Sequence, residues 1–186
     1  MSRRVPVFAT MIVIAAVLTM IALGFWQLGR RAEKAELLAS YTAAAGESAV
    51  VPFPIGGDGA ELWFRRSAVN CLGVSVIEPV AGTAASGQKG WVHRAGCRLS
   101  GNVIATVDLG FSRDLNKPAW SGGALTGVIA PGPRLVADPP VAGLKAMAKP
   151  DPGDLPNNHL AYAGQWFFFA LTALVIYVLA LRRRQR

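Results

Sequence analysis

The chain has 186 residues, of which 52% are hydrophobic and only 16% are charged, and its formal net charge is +8. This composition is too apolar and too weakly charged for one ordinary soluble domain. The excess positive charge lies at the chain ends rather than on a basic face, which argues against a nucleic-acid-binding protein. The arginines at the ends are Arg3, Arg4, Arg182, Arg183, Arg184 and Arg186.

Two long stretches, residues 5–29 and 160–181, contain no charged side chain. About 20 apolar residues cross the hydrocarbon core of a bilayer. A helix is then required, because lipid offers no partner for backbone polar groups. We therefore predict transmembrane helices at residues 5–29 and 159–181. A cleaved signal peptide, the alternative for the first stretch, would have a shorter apolar region of about 7–15 residues.

The arginines at the ends also predict the topology. Short basic segments stay in the cytoplasm, so residues 1–4 and 182–186 are expected to be cytoplasmic tails and residues 30–158 to lie across the membrane. Arg30 and Arg31 conflict mildly with this orientation, but the rule weakens for long loops. No transit peptide precedes the first span, which favours a bacterial inner membrane and a periplasmic central domain.

Within the central segment, good helix formers continue without Gly or Pro until Gly46, so the first helix should extend to about Ala45. Val- and Ile-rich runs then follow, bounded by turn residues, and predict a small β-rich domain of the α+β class. His93 falls in one of these runs and is expected at the surface. The strand-like runs are residues 67–80, 90–96, 102–112 and 125–130.

The two cysteines, Cys71 and Cys97, both belong to the central segment. An oxidising compartment would permit a disulfide between them. Two reduced thiols and a metal site are the alternatives, although two cysteines alone make a poor metal site. The sequence therefore favours the disulfide and leaves the other two readings open.

The stretch "LGFWQLGRR" closes the first predicted span. Trp26 suits the aromatic belt at a membrane surface, and Arg30 can reach lipid headgroups. A simple interfacial anchor explains both residues, but it explains the amide of Gln27 less well. A binding site for a partner is the alternative.

The stretch "PNNHLAYAGQWFFF" opens the second predicted span. The side chain of Asn157 or Asn158 can cap the helix. At helical spacing one stripe then faces a neighbouring helix or a ligand, while Phe167, Phe168 and Leu171 suit contact with lipid. The stripe consists of His159, Tyr162, Ala163, Trp166, Ala170, Ala173 and Tyr177.

His159 at the start of this stripe has two interpretations. It is either an interfacial histidine bonded to water or backbone, or an axial ligand of a haem that packs on Tyr162, Ala163 and Trp166. The sequence contains no hydrolase, phosphate-loop, dinucleotide or zinc-protease motif, and adjacent Ser112, Arg113 and Asp114 do not make a triad. We therefore expect a protein that is not an enzyme.

The order of these features resembles the Surfeit-locus family of cytochrome c oxidase assembly proteins. The first motif of that family, LGxWQxxR, is matched by residues that include Gly24, Trp26, Gln27 and Arg30. The second, NNHLxYAxxWF, is matched from Asn157 to Phe167. A "VNRGWV" strand common in the family is matched loosely by "VDLGFS", with Leu109 and Phe111 in place of Arg and Trp.

The resemblance implies an assembly factor that binds haem A and assists its insertion into the catalytic subunit of the haem–copper oxidase. It implies His159 as an axial ligand of the haem iron, with Tyr162 and Trp166 as walls. The expected partners are the catalytic subunit, haem A synthase and the lipid bilayer, with no nucleic acid. The alternative is a membrane scaffold that stabilises oxidase subunits and holds no haem.

Overall fold

The structure, a computed structural model, describes residues 6–185 and consists of two compact units. The predicted tail at residues 1–4, the first residue of the predicted first span, and Arg186 lie outside this range. Residues up to Leu37, together with those from Pro156 onward, form one unit, called here the helix pair. Residues Leu38–Leu155 form the other, called here the sheet domain.

The two helices are α1, Val7–Ala45, and α2, His159–Gln185. Both are long and apolar enough to cross a membrane by length and composition. Helix α1 ends immediately before Gly46, the first residue after its apolar stretch that lowers helix propensity strongly. Two apolar helices therefore flank a β-sheet domain, as the composition predicts.

The sheet domain is built on one seven-stranded sheet with the order β1-β2-β6-β7-β5-β4-β3. Strands β1 and β2 are parallel, as are β5 and β7, and the other neighbours are antiparallel. The strands are β1 Val50–Pro52, β2 Arg66–Cys71, β3 Gly73–Thr83, β4 Lys89–Arg98, β5 Ile104–Ser112, β6 Gly123–Ala130 and β7 Arg134–Ala137.

The core of this domain follows from the apolar pattern of its strands. In β2 buried and exposed residues alternate, which is typical of a strand with one solvated face. Strand β5 is different, because five consecutive residues, at positions 107–111, are buried. Leu109 and Phe111, which replace the Arg and Trp of the family pattern, are both fully buried there. In this chain that part of β5 therefore contributes to the hydrophobic core.

A disulfide joins Cys71 of β2 to Cys97 of β4, with 5.3 Å between their Cα atoms. Three strands lie between β2 and β4 in the sheet order, so the sheet must curl to bring them together. The backbone N–H of Leu72 also donates to the carbonyl of Arg98 at 2.9 Å. The disulfide therefore forms a covalent link between two strands that are not neighbours in the curled sheet.

The last turns of α1 are packed into the sheet domain through Tyr41. Its side chain is buried, with ring centroids 5.2 Å from Phe64 and 5.8 Å from Trp63. Burial raises the pKa of the Tyr41 phenol, and the nearby carboxylates of Asp58 and Glu61 raise it further. The phenol is therefore held neutral inside the sheet domain, to which Tyr41 belongs.

The expectation that His93 lies at the surface is wrong. His93 is fully buried on β4, and neither ring nitrogen has a hydrogen-bond partner among the described residues. It lies between Val92 and Arg94, where the pairing of β4 with β5 shifts register. The run around it contains Trp91, Val92 and Ala95 but no clear alternation, so its pattern gives no sign of which residues face inward.

Replacing His93 with leucine should stabilise the protein. An unpaired buried polar group costs about 1–3 kcal/mol, and an apolar side chain of similar size removes that cost. We expect a gain of about 1 kcal/mol, or roughly 2–4 °C in the thermal midpoint of a chain of this size. Thermal unfolding of the full chain in detergent measures it. His93→Asn, which keeps a polar group, should not give this gain, and a less stable leucine variant would contradict the interpretation.

Candidate functional site

The two sequence motifs meet in the helix pair. Nδ1 of His159, the first residue of α2, lies 2.7 Å from Oε1 of Gln27 on α1. The two residues are 132 positions apart in the chain. Both side chains are half-buried. This hydrogen bond gives Gln27 a partner and explains an amide that an interfacial anchor alone does not explain.

A second contact between the motifs lies beside the first. The side-chain amide nitrogen of Asn157 lies 3.4 Å from the carbonyl oxygen of Arg31 on α1, to which it donates. The side-chain oxygen of Asn157 is buried and has no hydrogen-bond partner among the described residues. The predicted helix cap by Asn157 is therefore wrong, because its side chain is turned to α1. The carbonyl of Asn158 accepts from the backbone N–H of Tyr162 at 3.2 Å, which starts the helix.

Close packing of the two helices depends on Gly24. A Cβ atom at this position would overlap the ring of Phe167, and Gly24 itself is buried. The same ring packs edge-on against Phe25, with 5.4 Å between the centroids. The interpretation of Phe167 as a lipid-facing residue is therefore wrong. Small residues that let helices approach closely are typical of helix pairs in membranes.

Gly24→Leu should separate the helices, because the added side chain occupies the space of the Phe167 ring. The cost of such overpacking is about 1–3 kcal/mol. Gly29→Leu is the matched control, because a Cβ at Gly29 meets no atom within 4 Å. Spin labels at Leu18 and Val175, which are exposed positions of α1 and α2, report the interhelical distance. We expect a longer or broader distance for Gly24→Leu only; an unchanged distance would contradict the proposed packing.

The predicted stripe on α2 is largely turned toward α1. Ala163 and Ala170 are buried, and Tyr177 reaches the hydroxyl of Thr10. Tyr162 departs from this pattern, since half of its surface is exposed. Trp166 is half-buried and packs on Phe169 of the same helix with near-perpendicular rings. Phe168 and Leu171, predicted to face lipid, are exposed.

The other residues of the first motif face outward. More than half of the surface of Trp26 is exposed, and Arg30 forms an ion pair with Glu33 on its own helix. Exposure of Trp26 is compatible with an aromatic membrane anchor and with contact to a partner. Of the four residues singled out in this motif, the helix pair engages Gly24 and Gln27 in its packing.

A charged cluster in the sheet domain was missed by the sequence analysis. Asp108 is buried on β5 and accepts from Nε and Nη2 of Arg94 at 2.7 and 3.2 Å. Nε of Arg134 on β7 donates to the same carboxylate at 2.9 Å. The hydrogen bond to Asp108 raises the pKa of Arg94, against an opposing effect of burial. The available signal was an aspartate inside an apolar strand, which requires a cationic partner.

Histidine and cysteine are scarce in the chain, with two of each. The described residues contain no group of three or more His, Cys, Asp and Glu side chains that could hold a metal ion. A single haem iron needs less, because the macrocycle supplies four ligands and the protein supplies only axial ones. Nε2 of His159 has no hydrogen-bond partner among the described residues, so this nitrogen fits the role of an axial ligand.

Comparison with known proteins agrees with the motifs. The model of the SURF1 family matches residues 14–171, which is most of the chain. This range contains both motifs and the whole sheet domain. No curated protein and no solved structure matches the chain.

Proposed function

Because the chain belongs to the SURF1 family, a family of cytochrome oxidase assembly factors, we propose that it is a membrane-bound haem A carrier for the haem–copper oxidase. It binds haem A through His159 and assists insertion of the cofactor into the catalytic subunit. Haem A synthase and that subunit are its partners. The observation that carries the proposal is the hydrogen bond between His159 and Gln27, which joins the two motifs at one point of the helix pair.

Membrane insertion is supported by the apolar surface of both helices. Val7, Phe8 and Leu171 are among many large apolar residues of α1 and α2 that are more than half exposed. A surface of this kind is unfavourable in water and favourable in lipid. The chain then has both termini in the cytoplasm of a bacterium and its sheet domain in the periplasm, as the terminal arginines favour. His159 lies near the periplasmic end of α2 in this topology.

Binding of haem A is supported by the chemistry of the donor. A haem supplies an iron that takes a neutral imidazole nitrogen as an axial ligand. Imidazole ligands usually donate their second ring nitrogen to a neighbouring acceptor. Gln27 occupies Nδ1 of His159, so one ring nitrogen is anchored and the other is available. Tyr162 and Trp166, three and seven positions after His159 in the sequence, are the aromatic side chains that would pack against the macrocycle.

The proposal is tested by purifying the full chain from cells that make haem A and from cells that lack haem A synthase. We expect haem A to copurify from the first only. In parallel, a strain that lacks this protein should regain assembled oxidase when the chain is supplied. Oxidase assembly restored by a protein that never carries haem A would contradict the carrier role and favour the scaffold, which is the alternative function.

A further inference from the structure

We infer that Gln27 is a positioning residue for His159: its side-chain carbonyl holds the proton on Nδ1 and leaves Nε2 as the ligating nitrogen. This inference rests on the proposed function and deepens it. It assigns the atom that binds the iron and the residue that prepares it. Gln27 itself need not touch the haem, because it acts through the imidazole ring.

The assignment follows from the hydrogen bond. The oxygen of a primary amide accepts hydrogen bonds and cannot donate. A neutral imidazole carries its one proton on either Nδ1 or Nε2. Because Oε1 of Gln27 lies 2.7 Å from Nδ1 of His159, the proton belongs on Nδ1. The lone pair of Nε2 is then free, and neutral imidazole nitrogen is the form that binds haem iron.

The surroundings of Gln27 give the hydrogen bond its importance. Gln27 lies in α1 between apolar neighbours, with Trp26 on one side and Leu28 on the other. The Gln27 side chain is half-buried, and a hydrogen-bond partner stabilises an amide in such a position. Among the described residues, the Gln27 side chain forms its hydrogen bond with His159. The amide and the imidazole therefore orient each other through this hydrogen bond.

The helix contacts beside this bond make it rigid. Gly24, one turn before Gln27 on α1, brings the helices close by receiving the ring of Phe167. Asn157 ties the start of α2 to the carbonyl of Arg31, one turn after Gln27. The Gln27–His159 bond thus lies between two other contacts of the same helices. The imidazole is held in one orientation before any ligand arrives, which is the role of an outer-shell group in metal sites.

Two substitutions separate this role from simple packing. Gln27→Met keeps a similar length but removes the acceptor, and outer-shell changes of this kind typically weaken metal binding about 10–100-fold. Gln27→Glu keeps an acceptor and strengthens it by charge, so it should retain haem A and lower the midpoint potential of the iron. Gln165→Met on the exposed side of α2 is the control and should bind haem A as the wild type does.

The first readout needs no haem. Nitrogen-15 NMR of histidine-labelled full chain in nanodiscs distinguishes the two tautomers, because His93 can be assigned with a His93→Leu variant. We expect His159 to carry its proton on Nδ1 in the wild type and a mixture of tautomers in Gln27→Met. The second readout is the affinity for haem A and its midpoint potential.

The outcomes decide between the inference and its alternatives. A wild-type tautomer and unchanged haem A affinity in Gln27→Met would overturn the inference. Loss of haem A from Gln27→Glu as complete as from Gln27→Met would overturn it as well, because the acceptor is kept. A wild-type chain that binds no haem A contradicts the proposed function instead, while the tautomer measurement still tests Gln27.

Discussion

The double variant Cys71→Ala/Cys97→Ala is expected to lose about 3–4 kcal/mol of stability, because a disulfide that closes a loop of this length restricts the unfolded chain by that amount on the chain-entropy estimate. The two residues are separated by 26 positions, and the bond joins strands that are not neighbours in the sheet. Its loss therefore removes the covalent link across the curled sheet. The free energy of unfolding of a native protein is about 5–15 kcal/mol in total, so this loss is a large fraction of it.

Denaturant unfolding of the full chain measures the effect, and a reductant applied to the wild type should reproduce it. In cells, the double variant should accumulate less, because a larger unfolded fraction is degraded. Equal stability of the wild-type chain with and without reductant would contradict a bridged pair. It would return the cysteines to the reduced-thiol interpretation that their sequence spacing also allows.

Asp108→Asn is expected to cost about 3 kcal/mol. Removing one partner of a buried ion pair usually costs about 3–5 kcal/mol, because it leaves a charge without compensation. The lower end applies here, because the side chains of Arg94 and Arg134 keep exposures of 31% and 33% while that of Asp108 is only 6% exposed. The substitution weakens the contacts of three strands, since the carboxylate of Asp108 links β4, β5 and β7.

Asp138→Asn is the matched control for Asp108→Asn. Asp138 pairs with Lys149, but the two side chains are 35% and 69% exposed, and such surface pairs contribute about 0–1 kcal/mol. Chemical denaturation of both variants gives the comparison. Similar losses for the two substitutions would contradict a special role of the buried carboxylate.

The helices could be predicted from sequence because a long uncharged stretch has few alternative structures. The end of α1 at Ala45 follows from the same reasoning, since Gly46 is the first strong break. All four strand-like runs correspond to strands, and the first of them is divided at Leu72 into β2 and β3. Strands β1 and β7 were missed, because three and four residues are too few to establish an alternation.

The errors concern residues whose environment is set by tertiary contacts. His93 lies on the buried face of β4 with Ala95 and Cys97, beside a shift in the register of β4 and β5 that the sequence does not reveal. Phe167 faces α1 because Gly24, distant in sequence, leaves room for its ring. Asn157 donates to the carbonyl of Arg31 on α1, a residue distant in sequence, instead of capping its own helix. The pairing of Gln27 with His159 could not be derived from either motif alone, although each motif contained one polar residue that its local role left unexplained.

The absorption spectrum of the protein purified after co-expression with haem A synthase, wild type beside His159→Ala, tests the central claim most directly. We predict the bands of haem A in the wild type and their loss in His159→Ala, with equal amounts of protein in the membrane. Equal haem A in both proteins would contradict His159 as the ligand. Absence of haem A from both, in a chain that still supports oxidase assembly, would contradict the carrier function itself.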